Sequence, residues 1–230
     1  MKTLLHDLFW AAVTVGIYLA ALRLNRRLAA WWTSPLLITW AFCALLLFSL
    51  HTTYQEYLGG TNWLIFLIGP ATVAFAIPIH EHRLLIRRHW GLLLLGTLTG
   101  SAIALGSGYL LARYFQFPPE LRASLLPRSI TTPLAMTASQ NLGGLPDLTA
   151  AFTTVTGLFG AAIGESFLIW LPFRSSFARG ALLGMGAHGA GVARARELGE
   201  EEGAVAGLMM IFAGLLNVLG TVVFFHRHQG

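Results

Sequence analysis

The stretch LPRSITTPLAMTASQNLGGLPD, Leu126 to Asp147, decides how the chain is read. It lies between two long apolar runs, is too polar to face lipid, and is too poor in charge to be an ordinary exposed loop. Irregular backbone at membrane depth is tolerated only where protein or a water-filled cavity encloses it.

The surroundings of this stretch are those of an integral membrane protein. Of the 230 residues, 55% are hydrophobic and 11% charged, against about 25% charged in a soluble domain. Apolar runs extend from Leu4 to Leu22, Pro35 to Leu50, Trp63 to Ile79, Gly91 to Ala112, Leu148 to Leu171 and Ala204 to Phe225. Most approach the ~20 residues that cross the hydrocarbon core. The two shorter ones are flanked by Trp31, Trp32 and Trp63, which suit the interface, so six spans are expected. The basic loops RLNRR (Arg23 to Arg27) and HRLLIRRH (His82 to His89) are placed in the cytoplasm by the positive-inside rule, with the N-terminus outside. The net charge of +5 therefore reads as orientation and not as a nucleic-acid surface. Cys43, the only cysteine, permits no internal disulfide and reads as a packing residue.

Two segments resist assignment as plain spans, Ser129 to Leu142 and Gly180 to Leu198, GALLGMGAHGAGVARAREL. Both are apolar enough for membrane depth but are interrupted by Pro, Gly, hydroxyls or charge. Sliding the sequence by 56 residues sets Thr132 over His188, Gly143 over Gly199 and Leu148 over Ala204. Each copy then reads as a broken segment, a Gly-bearing turn and a long apolar span, a pattern that points to a transporter's binding site. A further interruption, LIGPATVAFAIP from Leu67 to Pro78, kinks the third run for packing or for a site.

Candidate site residues follow from these breaks. Arg128 brings a permanent cation to the start of the first broken segment, where Ser129, Thr131 and Thr132 either cap a half-helix or bind a ligand. Unpaired N–H groups, hydroxyls and a guanidinium together suit a small carboxylate. His188 lies among glycines and alanines at membrane depth, as a ligand donor, a proton-coupling group or a core histidine. Glu197 follows Arg194 and Arg196, and a pairing of either arginine with a carboxylate is plausible at helical spacing. Glu200 to Glu202 read as a solvated helix start, and Glu165 as a proton site or an interfacial residue. No metal-ligand cluster, nucleophile elbow or phosphate-binding glycine loop is present, so neither catalysis nor a cofactor is expected.

As a set, LPRSITTPLAM, GGLPDLTAAF, TGLFGAAIG, ARGALLGMGAHGAGVARARELGEEEGA and GPATVAFAIP resemble the LrgB (CidB/LrgB) family, most strongly from Leu126 to Gly214. Where that family usually carries Lys, this chain has Arg128; where it has hydroxyls around the His, this chain has Gly186, Ala187 and Val192. The resemblance implies a bacterial inner-membrane protein and two kinds of activity. One is a carrier for pyruvate, glycolate or glycerate. The other is an antiholin-like pore or regulator of murein hydrolase activity and cell lysis, acting with a small LrgA-type membrane protein. The broken helices favour the carrier. The expectation is therefore an all-α, polytopic helical bundle in the membrane lipid. Residues 1–125 would form the scaffold and dimer contact, and residues 126–230 a core binding a small carboxylate through Arg128, Ser129, Thr131, Thr132, His188 and Arg194.

Overall fold

The computed structural model describes residues 2–28, 33–74, 76–171 and 173–229, and among them there is no strand. The order is α1 (Lys2–Leu28), α2 (Pro35–Ser49), α3 (Tyr54–Thr61), α4 (Trp63–Phe66), α5 (Ile68–Val73), α6 (Ala76–Glu81), α7 (Arg83–Tyr114) and α8 (Pro119–Leu125). A 3-10 turn (Leu126–Ser129) follows, then α9 (Thr132–Asn141), α10 (Pro146–Trp170), α11 (Ser176–Leu198) and α12 (Glu200–Gln229). Among the described residues, four stretches are long and apolar enough to cross a membrane: Leu5–Leu28, Arg83–Tyr114, Pro146–Trp170 and Glu200–Val222. The chain is an all-α, multi-pass membrane protein. Contacts divide it into two compact units, Met1–Val73 and Ala74–Gly230.

In the first unit, α1 packs against α2 and α3. Trp10 is its buried centre, edge-on to Tyr57 at 5.4 Å, while the Tyr57 hydroxyl lies 3.1 Å from that of Thr14. Cys43 is buried, as a packing residue should be. At the start of α3 a capping box joins Thr53 and Glu56, and the Thr53 backbone N–H holds the Glu56 carboxyl below the usual carboxylate range.

The short run from Pro35 is one helix, Pro35–Ser49, of 15 residues, and Trp31 and Trp32, expected to extend it, lie outside the described residues. One of the six expected spans is corrected. The run from Trp63 to Ile79 is three short helices, and Ala74 is in turn geometry. Each break falls about four residues before a proline. Pro70 and Pro78 cannot donate to the carbonyls of Phe66 and Ala74, and their rings press on those carbonyls.

The second unit holds the two segments that the sequence marks as broken. Helix α11 has 23 residues and would be about 35 Å long if straight. Arg179, near its start, would then lie some 30 Å from its end, and the four residues from Leu198 to Glu202 reach at most about 14 Å. Yet Arg179 Nη2 is 2.5 Å from Glu202 Oε1. The chain must therefore reverse within α11, and the dihedral angles place the reversal at His188, with φ 44° and ψ −124°. Consistently, a Cβ on Gly191 would overlap the carbonyl of Leu183, and one on Gly184 the backbone of Ala206. Each half of this hairpin rises only about 15–18 Å, half of a ~30 Å hydrocarbon core, so its tip lies near mid-depth.

The segment after α8 makes the same excursion. The Leu145 N–H donates to Ser124 Oγ at 2.7 Å, and the Thr149 hydroxyl lies 2.7 Å from Ser139 Oγ and 3.0 Å from the Ser124 carbonyl. Residues 124 and 145 are thus neighbours. The chain between them goes in through the 3-10 turn and returns along α9, leaving by Gly143 at φ 77°, where a side chain would be strained.

The two hairpins point in opposite directions. Along α10, a Cβ at Gly157 would meet the Ala187 carbonyl and one at Gly164 the Leu183 side chain, so α10 runs antiparallel to the first half of α11. Along α12, Gly180 faces Glu202 and Gly184 faces Ala206, so α12 runs parallel to it. Each hairpin feeds the long helix after it, and α10 and α12 are opposed. The second copy of the 56-residue pattern is therefore an inverted counterpart of the first.

The neck of the first hairpin is held by uncharged groups that are fully buried at Ser124, Ser139 and Thr149. Thr149→Val leaves the Ser139 hydroxyl and the Ser124 carbonyl without this partner, at a cost of about 1–3 kcal/mol. Thermal denaturation in detergent should show that loss, and an unchanged midpoint would mean that the network does not hold the neck.

Candidate functional site

Both hairpin tips carry a nitrogen group that burial has left without a partner. His188 is 4% exposed, and neither ring nitrogen has a hydrogen-bond partner. Arg128, in the 3-10 turn at the first tip, is half-buried with Nη1 likewise unpartnered. Such groups cost about 1–3 kcal/mol each unless something binds them. Gly108 of α7 makes room for the guanidinium, since a Cβ there would come 2.5 Å from Nη1.

The tips pack together. The 3-10 turn lies against α7, α9, α10 and α11. Met185, one turn before His188, packs on the cluster of Ile130, Leu134, Ala135 and Ala138 at the first tip. Gly160 of α10 presses on the carbonyl of Gly186, where no larger residue fits. The chain neighbours of His188, from Gly186 to Gly191, are all Gly or Ala and offer no polar side chain.

Of the other expected residues, Thr131 occupies the N-cap position of α9 without a side-chain cap hydrogen bond, and Thr132 is its first residue. Their hydroxyls and that of Ser129 are half-buried and make no hydrogen bond within the described residues. Hydroxyls not spent on capping stand at the N-terminal end of a short helix, where the dipole favours an anion. Arg194 differs: its guanidinium is joined to Glu197 on the same face of α11, the helical pairing its spacing allows. Arg128, Ser129, Thr131, Thr132 and His188 thus fall on two tips that pack together, and Arg194 lies further along the second hairpin with its charge balanced.

The expectation for Glu200 to Glu202 needs correction. Glu200 and Glu201 are exposed, but Glu202 is buried, accepting from Arg179 Nε at 3.1 Å and Nη2 at 2.5 Å. Arg179 also donates to the Phe173 carbonyl at 3.2 Å. This cluster ties the neck of the second hairpin, and its two charges lie 23 residues apart in a pairing that only the reversal at His188 creates. Asn217 of α12 was also not foreseen; it is buried and donates to Ser101 Oγ of α7 at 3.1 Å. The side chain of Glu165 lies outside the described side chains.

A sequence model of the LrgB-like family matches residues 14–226, spanning both hairpins, the apolar spans of α7, α10 and α12, and the latter part of α1. The chain belongs to the LrgB family. Among its LrgB relatives, the uncharacterized protein YwbG of Bacillus subtilis (strain 168) is 37% identical over 206 residues, 90% of this chain and 92% of that one. The uncharacterized protein YxaC of the same organism is 35% identical over 205 residues, 89% of each. No solved structure matches the chain.

For this LrgB chain the strained residue provides a direct check. In an ordinary helix interior Ala is better than Gly by about 1 kcal/mol. At a positive φ the order reverses. His188→Gly should therefore be more stable in detergent than His188→Ala by about 1 kcal/mol, and the ordinary order would contradict a chain reversal at this residue.

Proposed function

We propose that this protein is a membrane carrier for small monocarboxylates of the pyruvate, glycolate or glycerate class. The observation that supports the reading best is the pair of unpartnered groups, Arg128 Nη1 and the His188 ring, on tips that pack together. A carboxylate is an acceptor that suits both the guanidinium N–H and the one ring N–H of His188. Arg128 supplies the permanent charge, Ser129, Thr131 and Thr132 supply hydroxyls, and His188 contacts the substrate or carries a coupling proton. Arg194, neutralised by Glu197, orients the second half of its hairpin.

Two oppositely inserted hairpins suit alternating access, since each can uncover the same central point toward one face of the membrane. The wider setting of this proposal is a bacterial inner membrane. The N-terminal spans act as scaffold and dimer contact, the residues from 126 onward move, and a small LrgA-type protein is the partner for assembly. An unselective pore has no use for a charged group and an imidazole held at mid-depth.

Uptake of radiolabelled pyruvate, glycolate and glycerate into proteoliposomes of the purified protein tests the reading. The expected result is saturable uptake that Arg128→Ala lowers by roughly 10- to 100-fold, the worth of one charge-assisted hydrogen bond. Arg128→Lys keeps the charge and should retain more of the rate than Arg128→Ala. Both His188→Gly and His188→Ala should lose flux whatever their stability. Nonsaturable leakage of unrelated solutes, unaltered by Arg128→Ala, would overturn the carrier in favour of a lysis-related pore.

A further inference from the structure

The second unit contains a cavity of about 550 Å³ beside the second hairpin. Its outer part is lined by Glu81 and His82, where α6 meets α7, and by Arg196 and Glu200 at the hairpin's foot. Its inner part is lined by Val192 and Ile211. Val192 follows His188 by one helical turn, so the cavity runs along the returning half of the hairpin from its foot toward its tip.

Three formally charged side chains and an imidazole on its wall make this cavity wet, because such groups are costly against lipid and settle where water reaches them. Arg196 is exposed and makes no hydrogen bond or ion pair among the described residues. A second cavity, of about 700 Å³ and lined by residues such as Leu98, Leu105, Gly106 and Leu216, carries no charged residue. The two hairpins therefore differ in access: the foot of the second is bordered by a charged opening, and the outer flank of the first by an apolar one.

We propose that the charged cavity is the aqueous access route to the His188 tip, that it opens to the cytoplasmic face, and that Arg196 is the first group to meet an incoming small anion. The face follows from the basic run His82 to His89, which begins at the cavity's mouth and is held in the cytoplasm by the positive-inside rule. The proposal rests on reading the hairpin tips as the transport site. It adds the route, the side to which this conformation is open, and a residue that acts on capture rather than at the tips. Arg196 shares the cavity wall with Glu81 and Glu200, so it offsets a local negative field that would otherwise repel the substrate.

Two glycines allow a matched test, because a Cβ at Gly207, which lines the charged cavity, and one at Gly106, which lines the apolar one, would each meet no atom within 4 Å. Gly207→Cys and Gly106→Cys are made in a Cys43→Ala background, which leaves one thiol per chain. They are then treated with membrane-impermeant methanethiosulfonates in inside-out and right-side-out vesicles. The expected result is fast modification of Gly207→Cys from the cytoplasmic face alone and none of Gly106→Cys from either face. Adding Arg196→Gln should slow the anionic reagent relative to the cationic one by roughly threefold or more. No modification of Gly207→Cys, equal modification from both faces, or modification only from the outer face would overturn the proposal; an unchanged reagent ratio would overturn the role of Arg196. Labelling needs no substrate. One-sided labelling in a protein that takes up no carboxylate would therefore reject the substrate reading and uphold the route.

Discussion

Two stretches of backbone that turn round inside the bilayer impose the constraint on which the rest of this structure depends. Lipid offers no partner to a backbone group, so a helix that ends at mid-depth must be enclosed by protein and water. The small residues of α10, α11 and α12 meet that demand. Gly160 lets α10 lie directly on the backbone next to the tip, and Gly180 and Gly184 let α12 do so along the first half of the hairpin. The necks then hold each excursion in place. One uses the neutral Ser124, Ser139 and Thr149 network, and the other the Arg179 and Glu202 pair. A neutral network is indifferent to pH and salt, whereas an ion pair with a partly exposed arginine is open to both.

The enclosure also explains why the tips carry unsatisfied groups. A buried imidazole with no partner and a residue in a disfavoured backbone conformation are both destabilising, and they coincide at His188. Folding alone would favour glycine there with no ring. Strain and orphaned polarity at one residue are the mark of a site held ready by its surroundings. The Gly186, Ala187 and Val192 positions add no polar group of their own. In the carrier reading, the second tip therefore contributes through the imidazole and the backbone around it, and the permanent charge comes from Arg128 on the first.

Much of this was legible in the residues themselves. Composition placed the chain in the membrane, and Pro, Gly and hydroxyls in the wrong places marked both broken segments. The 56-residue offset placed Thr132 over His188, and in the structure both lie at hairpin tips. What sequence could not reveal was direction. A helical pattern from Gly180 to Leu198 is the same whether the chain continues or turns back at His188, and only long-range pairs distinguish the two. Arg179 with Glu202 and Thr149 with Ser124 are such pairs, and neither has a periodic signal. The misread run from Trp63 to Ile79 has a simpler cause: its hydropathy suits a span, and two prolines eight residues apart overrule it.

The reversal of α11 at His188 is the central claim, and a distance across the hairpin's open end tests it most directly. Spin labels at Arg174 and Leu198, both exposed, in a Cys43→Ala background would be measured by pulsed electron–electron double resonance in lipid nanodiscs. The hairpin requires a separation below about 20 Å, because its two feet meet. A separation near 35 Å, the span of an unbroken helix, would contradict the account, for the second tip would then no longer exist.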